Sequence, residues 1–163
     1  MDKIADNFQK HENYKEQNER LTRALKHHFY LEAIFIEYSI LEDRTESILR
    51  YTGDMPKPNS NGYVSIDKKI GKIEKLTENK KSIIRHYFPK ELTDELSKWK
   101  ESRNAMIHAL IKRVVTTEEL EAIALEGEKL AKKMCHLSTN YKRKLQHTSC
   151  PAMNQNTIKE VQT

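Results

Sequence analysis

The stretch Phe29-Tyr30-Leu31-Glu32-Ala33-Ile34-Phe35-Ile36-Glu37-Tyr38-Ser39-Ile40-Leu41 is apolar nearly all the way round a helix and is broken by Glu32 and Glu37. A helix on the rim of a monomeric bundle shows one wet face. This segment therefore implies burial on two sides, by the core and by a second chain. It sits inside a run from Tyr14 to Tyr51 that contains no Gly or Pro and repeats Leu21, Leu25, Phe29, Phe35, Ile36 and Ile40 at helical spacing. The spacing predicts one long helix.

Downstream, Thr52 to Ser65 gathers Gly53, Pro56, Pro58, Asn59, Asn61 and Gly62, turn formers that mark the main internal loop. A second, basic helix starts near Ser65. Ile66, Ile70 and Ile73 share one face, and Lys68, Lys69, Lys72 and Lys75 occupy the remainder as solvated charges. Ile83 to Phe88 reads as a turn of helix ended by Pro89. A third main helix runs from Leu92 to Lys112, with Leu92, Leu96, Trp99, Met106, Ile107 and Leu110 in one stripe. The fourth opens on the capping box Thr116-x-x-Glu119 and alternates by three and four through Leu120, Ile123, Gly127, Leu130, Met134, Leu137 and Tyr141. The fold class is all-α, an up-and-down bundle of about four main helices. The domain spans residues 14–146, and residues 1–13 and 147–163 are expected to be flexible termini.

The chain has 163 residues, room for one domain with a real core. Its apolar fraction of 37% against 33% charged residues suits a bundle with a thin core and a charged skin. The formal charge of +5 and a pI near 9.1 favour a polyanionic partner without choosing one. Cys135 and Cys150 have no ligands at zinc-like spacing and read as free thiols of a reducing, cytoplasmic compartment. Met1 to Lys10 lacks the apolar run of a signal peptide, so neither export nor membrane insertion is expected. The histidines His11, His27, His28, His86, His136 and His147 form no ligand-spaced set, so no metal and no cofactor is expected. The basic run Tyr141-Lys142-Arg143-Lys144 reads as a helix C-terminus complementing its dipole.

Arg103 falls in the middle of the third helix's apolar stripe, where a charge is costly unless it is paired or faces a functional cleft. The surrounding sequence, Lys98-Trp-Lys-Glu-Ser-Arg-Asn-Ala-Met-Ile-His-Ala-Leu110, resembles the HEPN superfamily, whose signature is Arg, a polar residue, then His a few positions on. The matching residues are Arg103, Asn104 and His108. Arg23 precedes His28 by the same interval and Arg20 precedes His27 within the accepted range. What distinguishes 103–108 is the Asn, the apolar residues between, and the place late in the penultimate long helix before a capped final one. The resemblance covers roughly Leu21 to Leu145 in architecture and only a handful of residues in sequence.

The resemblance implies a HEPN-like homodimer whose two Arg/His motifs meet across a cleft and cut RNA without metal. Attack by the 2′-hydroxyl needs proton transfers, which His108 would perform as an imidazole working near neutral pH. Arg103 would stabilise the charged transition state, and Asn104 would orient a phosphate oxygen or the imidazole. The need for a 2′-hydroxyl restricts the chemistry to RNA. Such enzymes act as toxins or in phage defence, which implies a restraining antitoxin or regulatory protein. On a straight helix Arg103 and His108 point about 140° apart, which calls for a distorted turn or a site built from two chains. Glu32, Glu37 and Asp43 are candidates to hold Arg103, Glu32 first among them. Two other readings remain open: a noncatalytic helical dimerisation module that docks a partner protein, and a basic RNA-binding bundle without chemistry. In either, Arg103 lays its stem along the stripe beside a first-helix carboxylate, and His108 sits on a wet face.

Overall fold

The computed structural model describes residues 7–149, which form five α-helices and one 3₁₀ turn, with no strand among them. These are α1 (Asn7–Lys26), α2 (Tyr30–Thr52), α3 (Ile66–Glu78), the 3₁₀ turn Ile83–His86, α4 (Lys90–Ala109) and α5 (Thr117–Ser149). The four long helices alternate in direction. Arg20 pairs with Glu32 and Lys10 with Asp43, so α1 runs against α2. Tyr30 bonds Glu121 and Lys142 bonds Ser47, so α2 and α5 run together, and the Lys133–Glu95 pair sets α4 against α5. This is an all-α bundle with α3 laid against α2 and α4 as a shorter fifth piece.

The single helix expected over Tyr14–Tyr51 is in fact two. It breaks at His27-His28-Phe29, where His28 takes a left-handed φ of 60°. The His28 N–H donates to Leu25 O (3.2 Å) and the Phe29 N–H to Ala24 O (2.8 Å), closing α1 with the paired bonds of a Schellman cap. Glycine usually fills that position, because a left-handed residue with a Cβ costs roughly 1–2 kcal/mol. Here the side chain compensates. The Tyr30 hydroxyl spends its only proton on Glu121 (2.7 Å), so His28 Nδ1, 2.6 Å away, must be the donor to Tyr30. The break is local: with His28 left-handed and Phe29 at φ −85° and ψ 62°, the helical ladder of α1 cannot run on into α2. Folding back lets α1 cover part of α2.

Other boundaries follow local chemistry. Ser65 Oγ accepts from the Lys68 N–H and caps α3. The capping box before α5 forms in full, with Thr116 Oγ1 accepting from the Glu119 N–H (3.2 Å) and Glu119 Oε2 from the Thr116 N–H (2.9 Å). Lys69, expected to be solvated, is instead buried and pairs with Glu46 (2.6 Å) and Glu42 (3.3 Å), tying α3 to α2. Residues 7–13, expected to be flexible, belong to α1, and Lys10 anchors them to Asp43. At the other end α5 continues through His147 to Ser149. Cys150 and the remainder of the expected tail lie outside the described residues. Cys135 is a half-buried free thiol, and burial pushes its pKa up.

The core is centred on Trp99, Ile34, Leu41, Ile48, Leu49 and Met134, all essentially inaccessible. The Trp99 indole N–H donates to the Ile123 carbonyl (2.8 Å), fixing α4 on α5. Opposite it lies Glu37, fully buried, with neither carboxylate oxygen hydrogen-bonded. Gly127 makes room for both groups. A Cβ there would overlap Glu37 Oε2 and come within 2.7 Å of Trp99 Cζ2.

Gly127→Ala should therefore destabilise the fold by about 1–3 kcal/mol in urea unfolding, since neither a core carboxyl nor an indole can retreat cheaply. Burial, reinforced by the charge of Glu128, pushes the Glu37 pKa up to about 9. The unfolded chain releases this proton near pH 4.5 and the folded chain holds it until about 9. Stability should therefore fall as pH rises through that window. Melting curves across pH 5–8.5 should show this decline in the wild type and a shallower one in Glu37→Gln; identical slopes would show that Glu37 is ionised in the fold.

Candidate functional site

One helical turn beyond the buried Trp99, Arg103 emerges from α4 toward α2. Its guanidinium lies over the Tyr38 ring at 4.5 Å from the centroid and near the Phe35 ring at 5.3 Å. Such stacking is worth about 0.5–2 kcal/mol and orients a flat cation better than a point charge would. The adjacent Asn104 accepts a hydrogen bond from Arg103 Nη1 (3.0 Å), while the buried Nε has no partner. Among the described residues no carboxylate lies within ion-pair distance of Arg103. Its charge is thus supported by aromatic faces and left uncompensated, as an anion-binding group requires. Burial and then the charge of Glu42 push the Tyr38 hydroxyl pKa up, against the pull of Arg103, so the platform stays neutral.

None of the carboxylates expected to hold Arg103 does so. Glu32 pairs with Arg20 (2.9 Å) on α1. Asp43 accepts from Lys10 (2.6 Å) and Tyr14 (2.5 Å), with Arg44 also near (3.5 Å). Glu37 faces the core. The helical phase places Glu32 on the outer side of α2, where the returning α1 reaches it first.

His108 occupies the last turn of α4 and is exposed, with Met106 buried and Ile107 half-buried beside it. Among the described residues no hydrogen bond or ring contact joins it to Arg103 or Asn104. One chain therefore unites Arg103 with Asn104 and leaves His108 on a different side, as the 140° offset of a straight helix dictates. The other Arg/His spacings have local explanations: Arg20 belongs to the Glu32 pair and His28 to the α1–α2 break.

The residues beside Arg103 that the sequence did not single out are Phe35 and Tyr38. The available signal was the surplus of apolar side chains on α2, which was read only as burial. Part of that surplus is open: Phe35 is 52% exposed. Among the described residues no three His, Cys, Asp or Glu side chains are grouped to hold a metal ion, and no helix is long and apolar enough to cross a membrane. Comparison with protein-family models, curated proteins and solved structures finds no match to this chain, so the HEPN resemblance rests on its own residues.

A double-mutant cycle of Tyr38→Leu and Arg103→Met should give a coupling of about 0.5–2 kcal/mol in urea unfolding. Additive effects of the two substitutions would show that the ring does not support the cation.

Proposed function

We propose that this chain is a metal-independent, HEPN-type endoribonuclease, working in the cytoplasm as a toxin or phage-defence effector. The observation that carries the reading is the state of Arg103: over the rings of Tyr38 and Phe35, steadied by Asn104, and unpaired with any acid among the described residues. A guanidinium kept out of an ion pair at an open edge is available to a phosphodiester.

In the reaction, the RNA 2′-oxygen forms a bond to phosphorus and the bond to the 5′-oxygen breaks. The proton lost by the 2′-hydroxyl goes to an imidazole, and the departing 5′-oxygen takes one from an imidazole. His108 is that group. Arg103 meets the negative charge that builds on the non-bridging oxygens, a role in which a fixed cation contributes several kcal/mol. Because His108 and Arg103 diverge on α4, the working centre draws one group from each of two copies, which is why a homodimer belongs to the proposal. A basic net charge of +5 supports attraction of the polyanion. The free cell then requires a restraining antitoxin or regulatory protein.

A second reading, a noncatalytic docking module, is favoured by one feature. The α4–α5 connection exposes Ile111 (96%) and Val114 (84%), apolar side chains that suit a protein contact.

His108→Ala and Arg103→Ala should each lower cleavage of single-stranded RNA in EDTA by at least about 10²-fold, His108→Ala with the melting temperature unchanged and Arg103→Ala with only the small loss of stability its ring contacts imply. Full-rate cleavage by His108→Ala would reject the nuclease, and loss of a protein partner on Ile111→Ser with no nuclease activity in the wild type would establish the docking module.

A further inference from the structure

Phe29, Glu32, Phe35 and Tyr38 recur at intervals of three along α2 and its entry, and neighbours at that interval touch on a helix surface. They form a ridge that winds around α2 by about 60° per step, from its α1 side at Glu32 to its α4 side at Tyr38. Phe29 is 61% exposed and Phe35 52%, so two aromatic faces stand open along it. At the α1–α2 corner the ridge begins in a cleft of about 220 Å³ that includes Arg23, His27 and Phe29, where the His27 ring lies tilted toward Phe29 at 6.2 Å. The one acid of the ridge, Glu32, is neutralised by Arg20. Arg23 and Lys26 beside the cleft are exposed and make no ion pair among the described residues. At the far end stands Arg103, over Phe35 and Tyr38.

We propose that this ridge is a binding track for single-stranded RNA, with bases stacked on Phe29 and Phe35 and backbone phosphates held by Arg23 and Lys26 at one end and by Arg103 at the other. Alternating aromatic faces and unpaired cations are what unpaired nucleotides require, because every base has a π-face and every linkage a charge. A duplex offers no free base face, so the track selects single strands. At the Arg23 and Lys26 end a second copy of this chain would bring the same unpaired cations to the contact, so the occupant there is a polyanion, and the second copy of the nuclease reading meets the chain at the Arg103 end. The inference rests on the RNA reading above and gives that site its substrate class and direction of approach.

The test uses the full chain carrying His108→Ala, which prevents cutting, and a fluorescein-labelled oligouridylate followed by anisotropy. In that background Phe29→Ala should weaken binding roughly 5- to 100-fold. Arg23→Gln should weaken it less and should lower the salt dependence by about one counterion. A duplex of equal length should bind more weakly and be indifferent to Phe29. Equal affinity of both variants and their parent, equal binding of duplex, or no binding by the parent overturns the track. So does a change of oligomeric state in Phe29→Ala with RNA affinity intact, which would make the ridge a subunit contact. The two proposals separate in the wild-type background: cleavage with KM unaffected by Phe29→Ala removes the track and keeps the nuclease, whereas Phe29-dependent binding without cleavage does the reverse.

Discussion

Everything in this bundle is arranged around the close approach of α2 and α5 at Gly127. Only a residue without a side chain lets the Glu37 carboxyl and the Trp99 ring share one layer of the core. Because Trp99 is fixed there by its bond to the Ile123 carbonyl, the rotation of α4 about its own axis is fixed as well. Arg103, one turn along, is thereby aimed at the Tyr38 and Phe35 rings and not at solvent. The placement of a surface cation is thus a consequence of a glycine on another helix.

The same layer carries a cost. Glu37 is buried without a hydrogen bond, next to an indole edge and within reach of the Glu128 charge, and it is held in its neutral form across the physiological range. An apolar side chain would serve packing better at that position. By contrast, the buried Lys69 is satisfied by Glu42 and Glu46, so it joins α3 to α2 without leaving a charge stranded. The two buried ionisable groups illustrate opposite solutions: one carries a charge with partners, the other gives up its charge for lack of them.

Arg103 belongs to neither class. Its stem is half-buried, its plane is supported by π-faces, and Asn104 takes one of its five donors. Aromatic support restricts direction while leaving the charge available, whereas a carboxylate would have consumed it. This difference is why the pairing of Glu32 and Asp43 elsewhere, and the burial of Glu37 in the core, bear on function. It also connects the site to the exposed ridge of α2, since the rings that hold Arg103 are the far end of that ridge.

Much of the fold was legible. The turn-forming run before Ser65, the Thr116–Glu119 capping box, the stripe of α4 and the oddity of Arg103 within it are local patterns, set by backbone hydrogen bonding and by helical periodicity. The break at His28 was not legible, because no Gly marks it and the apolar repeat runs through it without a change of phase. Nor could periodicity show that Lys69 is buried or that Glu32 belongs to Arg20, because both depend on which helix lies alongside. What the sequence by itself determined is the all-helical class, most helix boundaries, and the identity of the one cation with no place in a core stripe. Helical periodicity also set His108 about 140° from Arg103 on α4. Tertiary structure alone decided where α1 turns back and which rings carry Arg103, since each depends on the relative placement of helices, which long-range packing sets and short-range sequence does not encode.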